Sequence, residues 1–119
     1  MLVVVPTPIG NLGDMTHRAL ETLKSVDIIL AEDTRSSGRL LSHFGIDTAL
    51  RSFHAHNEHA KLSKVIDSFQ NGQKIALITD AGMPGISDPG YLLIREVIRE
   101  NIQLEILPGP SAFVLALLH

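Results

Sequence analysis

The feature that most limits what this chain can become is a repeated alternation of short apolar runs with amphipathic ones. Leu2-Val-Val-Val5 reads as a buried strand, as do Ile28-Ile-Leu30, Lys74 to Ile78 and Leu104 to Leu107, with Ala49 to Phe53 a weaker one. Between these runs the apolar positions take helical spacing. Asp14 or Thr16 can cap a helix carrying Leu20 and Leu23. A second helix follows Thr34, buries Leu40, Leu41 and Phe44, and ends at Gly45. A third, capped by Asn57, carries Leu62, Val65, Ile66 and Phe69 at i, i+3, i+4 and i+7 and closes at Asn71-Gly72. A fourth opens at Asp88-Pro89, where Asp suits a cap and Pro the first turn, and turns Leu93, Ile94, Val97 and Ile98 inward. A last, apolar helix begins after Pro108-Gly-Pro-Ser-Ala112 and carries no stop signal before His119.

Strands alternating with helices predict an α/β domain of three layers: a mainly parallel, five-stranded sheet flanked by helices, with right-handed crossovers. Ligands of such sheets bind beyond the carboxyl ends of the strands. Every chemically unusual loop here follows a strand: residues 6–13, 32–35, 54–58, 80–90 and 108–112. Those on the opposite side, such as Asn71-Gly72, read as ordinary turns. Chemically rich loops gathered on one edge of the sheet predict a binding site there.

Composition narrows the class. The chain has 119 residues, the size of one domain. It has no cysteine, which excludes disulfides, thiolate metal sites and thiol nucleophiles, and fits a cytoplasmic setting. A formal charge of −3 is no basic footprint for general nucleic-acid binding, so an RNA substrate would need local cations, a second domain or a partner subunit. No apolar stretch approaches the ~20 residues that span a bilayer, and Met1 to Val5 lacks the basic flank of a signal peptide. The uncapped final helix predicts more protein after His119.

Two loops carry most of the information. Asp80-Ala-Gly-Met-Pro-Gly-Ile-Ser-Asp-Pro-Gly90 combines glycines, which let a ligand approach the backbone, with prolines that fix its course, and it runs into a helix N-terminus. It is neither the dinucleotide fingerprint nor a Walker A loop. It also serves as a tight strand-to-helix connection with Asp88 as the cap. Pro6 to Asp14 is rigid and open in the same way, and Thr7 or Asn11 can hydrogen-bond a ligand. Pro108-Gly-Pro-Ser-Ala112 ends in unpaired first-turn amides, which bind a ligand or merely open a buried helix capped by Ser111.

Charged residues follow two other strands. Glu32-Asp-Thr-Arg35 sets two acids and a base at a strand end. Arg35 and Arg39 share a helix face, which suits phosphate, while Asp33 can equally be a helix cap with Glu32 in an ion pair. His54-Ala-His56-Asn-Glu58-His59 invites a metal reading, but zinc needs three or four converging ligands and no other cluster completes a set, so a polar, substrate-facing loop is favoured and no metal is assigned. His17, His43 and His119 read as surface residues.

Val5 to Asp14, Ala31-Glu-Asp-Thr-Arg35, His56-Asn-Glu58, Thr79 to Gly90 and Leu107-Pro-Gly-Pro-Ser-Ala112 resemble, together and in order, the bacterial small-subunit ribosomal RNA (cytidine-2′-O)-methyltransferases, a branch of the tetrapyrrole methylase fold group. The resemblance covers the whole chain. It implies the N-terminal domain, residues 1–119, of a two-domain and often dimeric enzyme that holds S-adenosylmethionine between its domains. By the resemblance Pro8, Ala81, Gly82, Met83, Pro84, Gly85, Ile86, Ser111 and Ala112 line the cofactor site. The wider group often has Gly-Asp-Pro where this chain has Gly82-Met83-Pro84, so that acidic contact is missing here. The substrate implied is small-subunit ribosomal RNA.

Transfer of a methyl group to a ribose 2′-hydroxyl needs alignment and a route for the hydroxyl proton. The catalytic candidates are Glu32, Asp33, His54 and Glu58 as bases and Arg35 as a holder of phosphate or developing charge, with Arg35 and Glu58 the expected essential pair. Three other readings compete: a tetrapyrrole methylase of the same fold group, which requires a porphyrin-sized apolar cleft; a metal-dependent hydrolase built on His54 to His59; and a non-catalytic binding module. The segment alone is expected to fold, to bind S-adenosylmethionine weakly and not to methylate.

Overall fold

A computed structural model describes residues 1–7, 15–54, 58–80 and 88–108. In chain order the elements are β1 (Leu2–Thr7), α1 (His17–Ser25), β2 (Ile28–Ala31), α2 (Thr34–His43), β3 (Ala49–Ser52), α3 (Glu58–Gln70), β4 (Ile75–Asp80), α4 (Asp88–Arg99) and β5 (Leu104–Ile106). The five strands form one sheet in the order β3-β2-β4-β1-β5, and every pairing is parallel. The α/β alternation read from the sequence is the architecture observed. The apolar stretch after Pro108 falls outside the described residues.

β1 runs two residues further than its apolar run, through Pro6 to Thr7. A proline inside a central strand normally breaks a ladder hydrogen bond. Here Leu2 N donates to Gln103 O at 2.9 Å and Val4 O accepts from Leu107 N at 3.0 Å, so positions 2, 4 and 6 turn their backbone groups toward β5. Pairing with β5 stops at Val4, whereas pairing with β4 continues through Pro6↔Thr79 and Thr7↔Asp80. Pro6 thus lacks its N–H on the side where no strand remains to accept it.

Alternation along the strands separates two cores. Leu2, Val4, Leu30, Ile75 and Leu77 pack on one face with Val65, Ile66 and Phe69 of α3 and Leu93, Ile94 and Val97 of α4. Val3, Val5, Ile29 and Ala76 pack on the other with Ala19 and Leu23 of α1 and Leu40 and Leu41 of α2. The inward set expected for α4 needs one correction. Ile98 is 60% exposed. It follows Val97 by one residue, about 100° around the helix, and Leu93, Ile94 and Val97 already fill the side facing the sheet.

Three helices end in the same way. Ile46 N donates to Leu41 O at 2.9 Å and Gly45 N to Ser42 O at 3.2 Å, closing α2 in a Schellman turn with Gly45 at φ 66°. α3 ends alike through Gln73 N to Ser68 O and Gly72 N to Phe69 O, with Gly72 at φ 84°. α4 uses Asn101, at φ 56°, in the same role. These turns lie on the edge where the strands begin. That edge is tied further by Asp27, whose carboxylate accepts from Lys74 N at 2.8 Å, and by the Met1 amine, which donates to Gln73 O at 3.0 Å.

α1 and α2 lead from β1 outward to β2 and β3 on one face; α3 and α4 return on the other. The adjacent strands β1 and β4 therefore send their chains to opposite faces. The crevice opened by such a reversal is where doubly wound sheets bind ligands.

Candidate functional site

The carboxyl edge of the sheet has two halves. At β1 and β4, where the chain direction reverses, stand Thr7 and Thr79. Both are buried, and the Thr7 hydroxyl donates to Thr79 O at 3.1 Å. The Thr7 proton is therefore engaged within the protein, and only its lone pairs remain for a ligand. The Thr79 hydroxyl is the one buried side-chain polar atom among the described residues that has no hydrogen-bond partner. An unpaired buried hydroxyl costs stability unless something bonds to it.

The residues that the resemblance assigns to cofactor binding follow the strands of this half. Pro8 comes directly after β1, Ala81 to Ile86 directly after β4, and Ser111-Ala112 after β5. These positions, with Asn11 and the Gly82-Met83-Pro84 departure, lie outside the described residues. The strands themselves are neighbours, in the order β4-β1-β5. Asp88, expected as a cap, instead stands within the first turn of α4 beside Pro89.

The other half is formed by β2 and β3. Asp33 caps α2: its Oδ1 accepts from Arg35 N at 2.9 Å. The Arg35 N–H holds the Asp33 carboxyl below its ordinary value; slight desolvation opposes this, and the Ser36 N–H and the Arg35 charge add to it. Of the two roles open to Asp33, the cap is the one observed. Among the described residues the expected ion pair of Glu32 is not formed; the nearby base, Arg35, stands instead with Nε 3.6 Å from Asp33 Oδ1. That is too long for a strong bond, and the Arg35 side chain is 90% exposed. Glu32 and Arg39 are exposed as well.

β3 ends beside β2. Ser52 lies in register with Ala31, and Phe53 N donates to Ala31 O at 2.9 Å. Phe53, 1% exposed, anchors the chain in the α3/α4 core immediately before His54, which is half-buried and engaged in contacts of its own. Glu58 begins α3; His56 and Asn57 lie outside the described residues. Glu32, Asp33, Arg35 and His54 are thus gathered at two adjacent strand ends.

One residue here escaped the sequence reading. Lys61, in the first turns of α3, donates from Nζ to Ser52 O at 2.7 Å and to Ser52 Oγ at 3.2 Å. Sequence carried no signal for it, because the contact joins a helix to the end of a strand across a loop.

Among the described residues no three His, Asp or Glu side chains are placed to hold a metal, and residues 55–57 of the His54 to His59 run lie outside them. The groove between α3 and α4 is lined by Leu62, Ser63, Ile66, Asp67, Glu96 and Glu100. Its three carboxylates suit neither RNA nor an apolar macrocycle. Among the described residues no helix is long and apolar enough to cross a membrane.

Comparison with known proteins is consistent across sequence and structure. Residues 1–118 match the family described as Tetrapyrrole (Corrin/Porphyrin) Methylases. The chain is 55% identical over 115 residues to a protein of Mycoplasmopsis pulmonis named ribosomal RNA small subunit methyltransferase I, covering 97% of this chain and 52% of that one. It is 53% identical over 116 residues to the protein of the same name from Escherichia coli O157:H7, covering 98% of this chain and 41% of the relative. The chain thus spans about half the length, or somewhat less, of these relatives. Its fold resembles the crystal structure of uroporphyrin-III-C-methyltransferase from Thermus thermophilus, with a TM-score of 0.65 at 19% identity over 98% of this chain and 50% of that one. At that identity the likeness bears on the fold alone.

Proposed function

Because the chain belongs to the tetrapyrrole (corrin/porphyrin) methylase family, we propose that it is the first domain of an S-adenosylmethionine-dependent enzyme that methylates a ribose 2′-hydroxyl of a cytidine in small-subunit ribosomal RNA. The observation that carries this reading is the strand order. The cofactor candidates follow β4, β1 and β5, whereas the candidate acids, base and cations follow β2 and β3, and each set occupies contiguous strands. A bisubstrate methyl transfer needs such a division, with donor and acceptor meeting at one line.

In this reading S-adenosylmethionine occupies the β1/β4 crevice, held by Pro8, the backbone of Ala81 to Ile86 and Ser111-Ala112, and supplies an electrophilic methyl group. The polar surroundings fit: Thr79 offers an unpaired buried hydroxyl beside that crevice. Met83 cannot supply the acidic contact that the wider group often has, so another residue must bind the cofactor's polar groups. Across the edge, Arg35 holds RNA and Glu58 takes the 2′-hydroxyl proton, with Glu32 and His54 as alternative bases. Asp33 is the weakest base candidate, because its carboxylate is occupied as a cap and its proton affinity is lowered. The enzyme works in the cytoplasm. The additional length of the relatives forms a second domain after His119 that completes the cofactor cleft, and the complete protein is a homodimer.

The test uses the complete natural protein, methyl-labelled S-adenosylmethionine and unmodified small ribosomal subunits, followed by digestion of the RNA to nucleosides. Label in 2′-O-methylcytidine is expected. Cofactor binding without labelled RNA would discard the ribosomal reading in favour of a small-molecule methylase.

A further inference from the structure

The contact between Lys61 and Ser52 joins the start of α3 to the end of β3. A lysine near a helix N-terminus is opposed by the helix dipole and usually swings into solvent. Lys61 instead lies half-buried, with its amine drawn to the end of β3 by the carbonyl and the hydroxyl of Ser52. Neither acceptor is a carboxylate, and no ion pair among the described residues neutralises Lys61. An ammonium has three donors. Two are directed to Ser52, which leaves one for a ligand while the charge stays at a fixed place.

That place lies beside the Glu32 to Arg35 segment. Ser52 registers with Ala31, the residue before Glu32, and the Arg35 side chain stands largely in solvent one helical turn or less from the same strand end. α2 and α3 lie on opposite faces of the sheet. Lys61 and Arg35 therefore approach the β2–β3 end from the two sides, one cation pinned and the other extended. A pinned ammonium suits a single phosphate oxygen, and an extended guanidinium suits a bidentate phosphate contact.

We propose that Lys61 and Arg35 form a two-sided clamp on the RNA sugar–phosphate backbone at the β2–β3 end, with Lys61 as the fixed point that sets the register of the target ribose. This rests on the RNA-methylating reading above. Local cations of this kind answer the difficulty posed by a chain of net charge −3.

The test uses the complete protein acting on unmodified small ribosomal subunits, with KM, kcat, S-adenosylmethionine affinity and Tm measured for each variant. Lys61→Gln is expected to raise the KM for subunits about tenfold, as loss of a charge-assisted contact does. The slope of log KM against log salt concentration is expected to flatten by about 0.7 for the lost phosphate. Cofactor affinity and Tm are expected to stay at wild-type values, and Lys61→Arg to recover most of the loss. Arg35→Gln, at an exposed side chain that the fold does not need, is expected to flatten the slope in the same way and serves if Lys61→Gln folds poorly. An unchanged KM and salt slope in both Gln variants overturns the clamp. So does a Lys61→Gln defect that moves Tm and cofactor affinity together, which would mark Lys61 as a structural tie. If the unaltered protein transfers no methyl group to RNA, the RNA reading itself fails, and that result is distinct from a wild-type enzyme indifferent to Lys61.

Discussion

The two edges of the sheet are built on opposite principles. Where the strands begin, Schellman turns close α2, α3 and α4, the Asp27 carboxylate meets Lys74 N–H, and the Met1 amine meets Gln73 O. Where the strands end, Thr79 has an unpaired buried hydroxyl, Arg35 extends into solvent, and Lys61 keeps a charge without a carboxylate. The first edge pairs these polar groups within the protein. The second holds groups in reserve. Substitutions on the two edges are therefore expected to separate stability from activity.

The largest effect lies on the carboxyl edge. Arg35→Ala and Glu58→Ala in the complete enzyme are each expected to lower methyl transfer at least ~10²-fold while Tm changes little. Single-turnover assays with thermal melts check this, and near-normal methylation by both variants would remove the pair from the mechanism. On the other edge the expectation reverses. Gly72→Ala places a Cβ on a residue at φ 84°, which costs ~1–2 kcal/mol in urea unfolding and leaves kcat as it was. A matching loss of kcat would mean that the two edges are coupled.

Thr79→Val sharpens the contrast from within the carboxyl edge. It replaces an unpaired hydroxyl by a methyl group of similar shape, so the unliganded protein is expected to gain up to ~1 kcal/mol. A loss of stability would mean that the hydroxyl is bonded in solution. The smallest effect concerns pH. The Asp33 carboxyl is depressed in the folded protein, chiefly by the Arg35 N–H, so its capping contribution is complete above the ordinary carboxylate range and fades as pH falls through the lowered folded value. Asp33→Asn is expected to make stability less dependent on pH in that acidic window, as melts at successive pH values would register.

The elements were legible because β1 and β4 are short continuous apolar runs, buried on both faces of the sheet, and α3 and α4 carry apolar residues at i, i+3, i+4. Three places departed from that code for local reasons. Pro6 looked like a strand end, but it sits where β5 has already parted from β1. Ile98 looked like core, but Leu93, Ile94 and Val97 already cover the sheet. Asp88 looked like a cap, and α4 begins with it. Strand order had no local signature at all, since no residue announces which neighbour its strand will take. The division of the carboxyl edge into two contiguous sets therefore emerges only from the fold. Lys61 was hidden for the same reason: its partner, Ser52, belongs to another element.

Hydrogen exchange tests that division most directly. In the complete protein, S-adenosylmethionine added alone should slow exchange in peptides covering residues 6–13, 80–88 and 107–112 and leave residues 32–35 and 54–61 unchanged, with small ribosomal subunits then protecting the latter set. Protection of 32–35 and 54–61 by the cofactor alone would contradict the account, because it would place donor and acceptor on the same half of the edge.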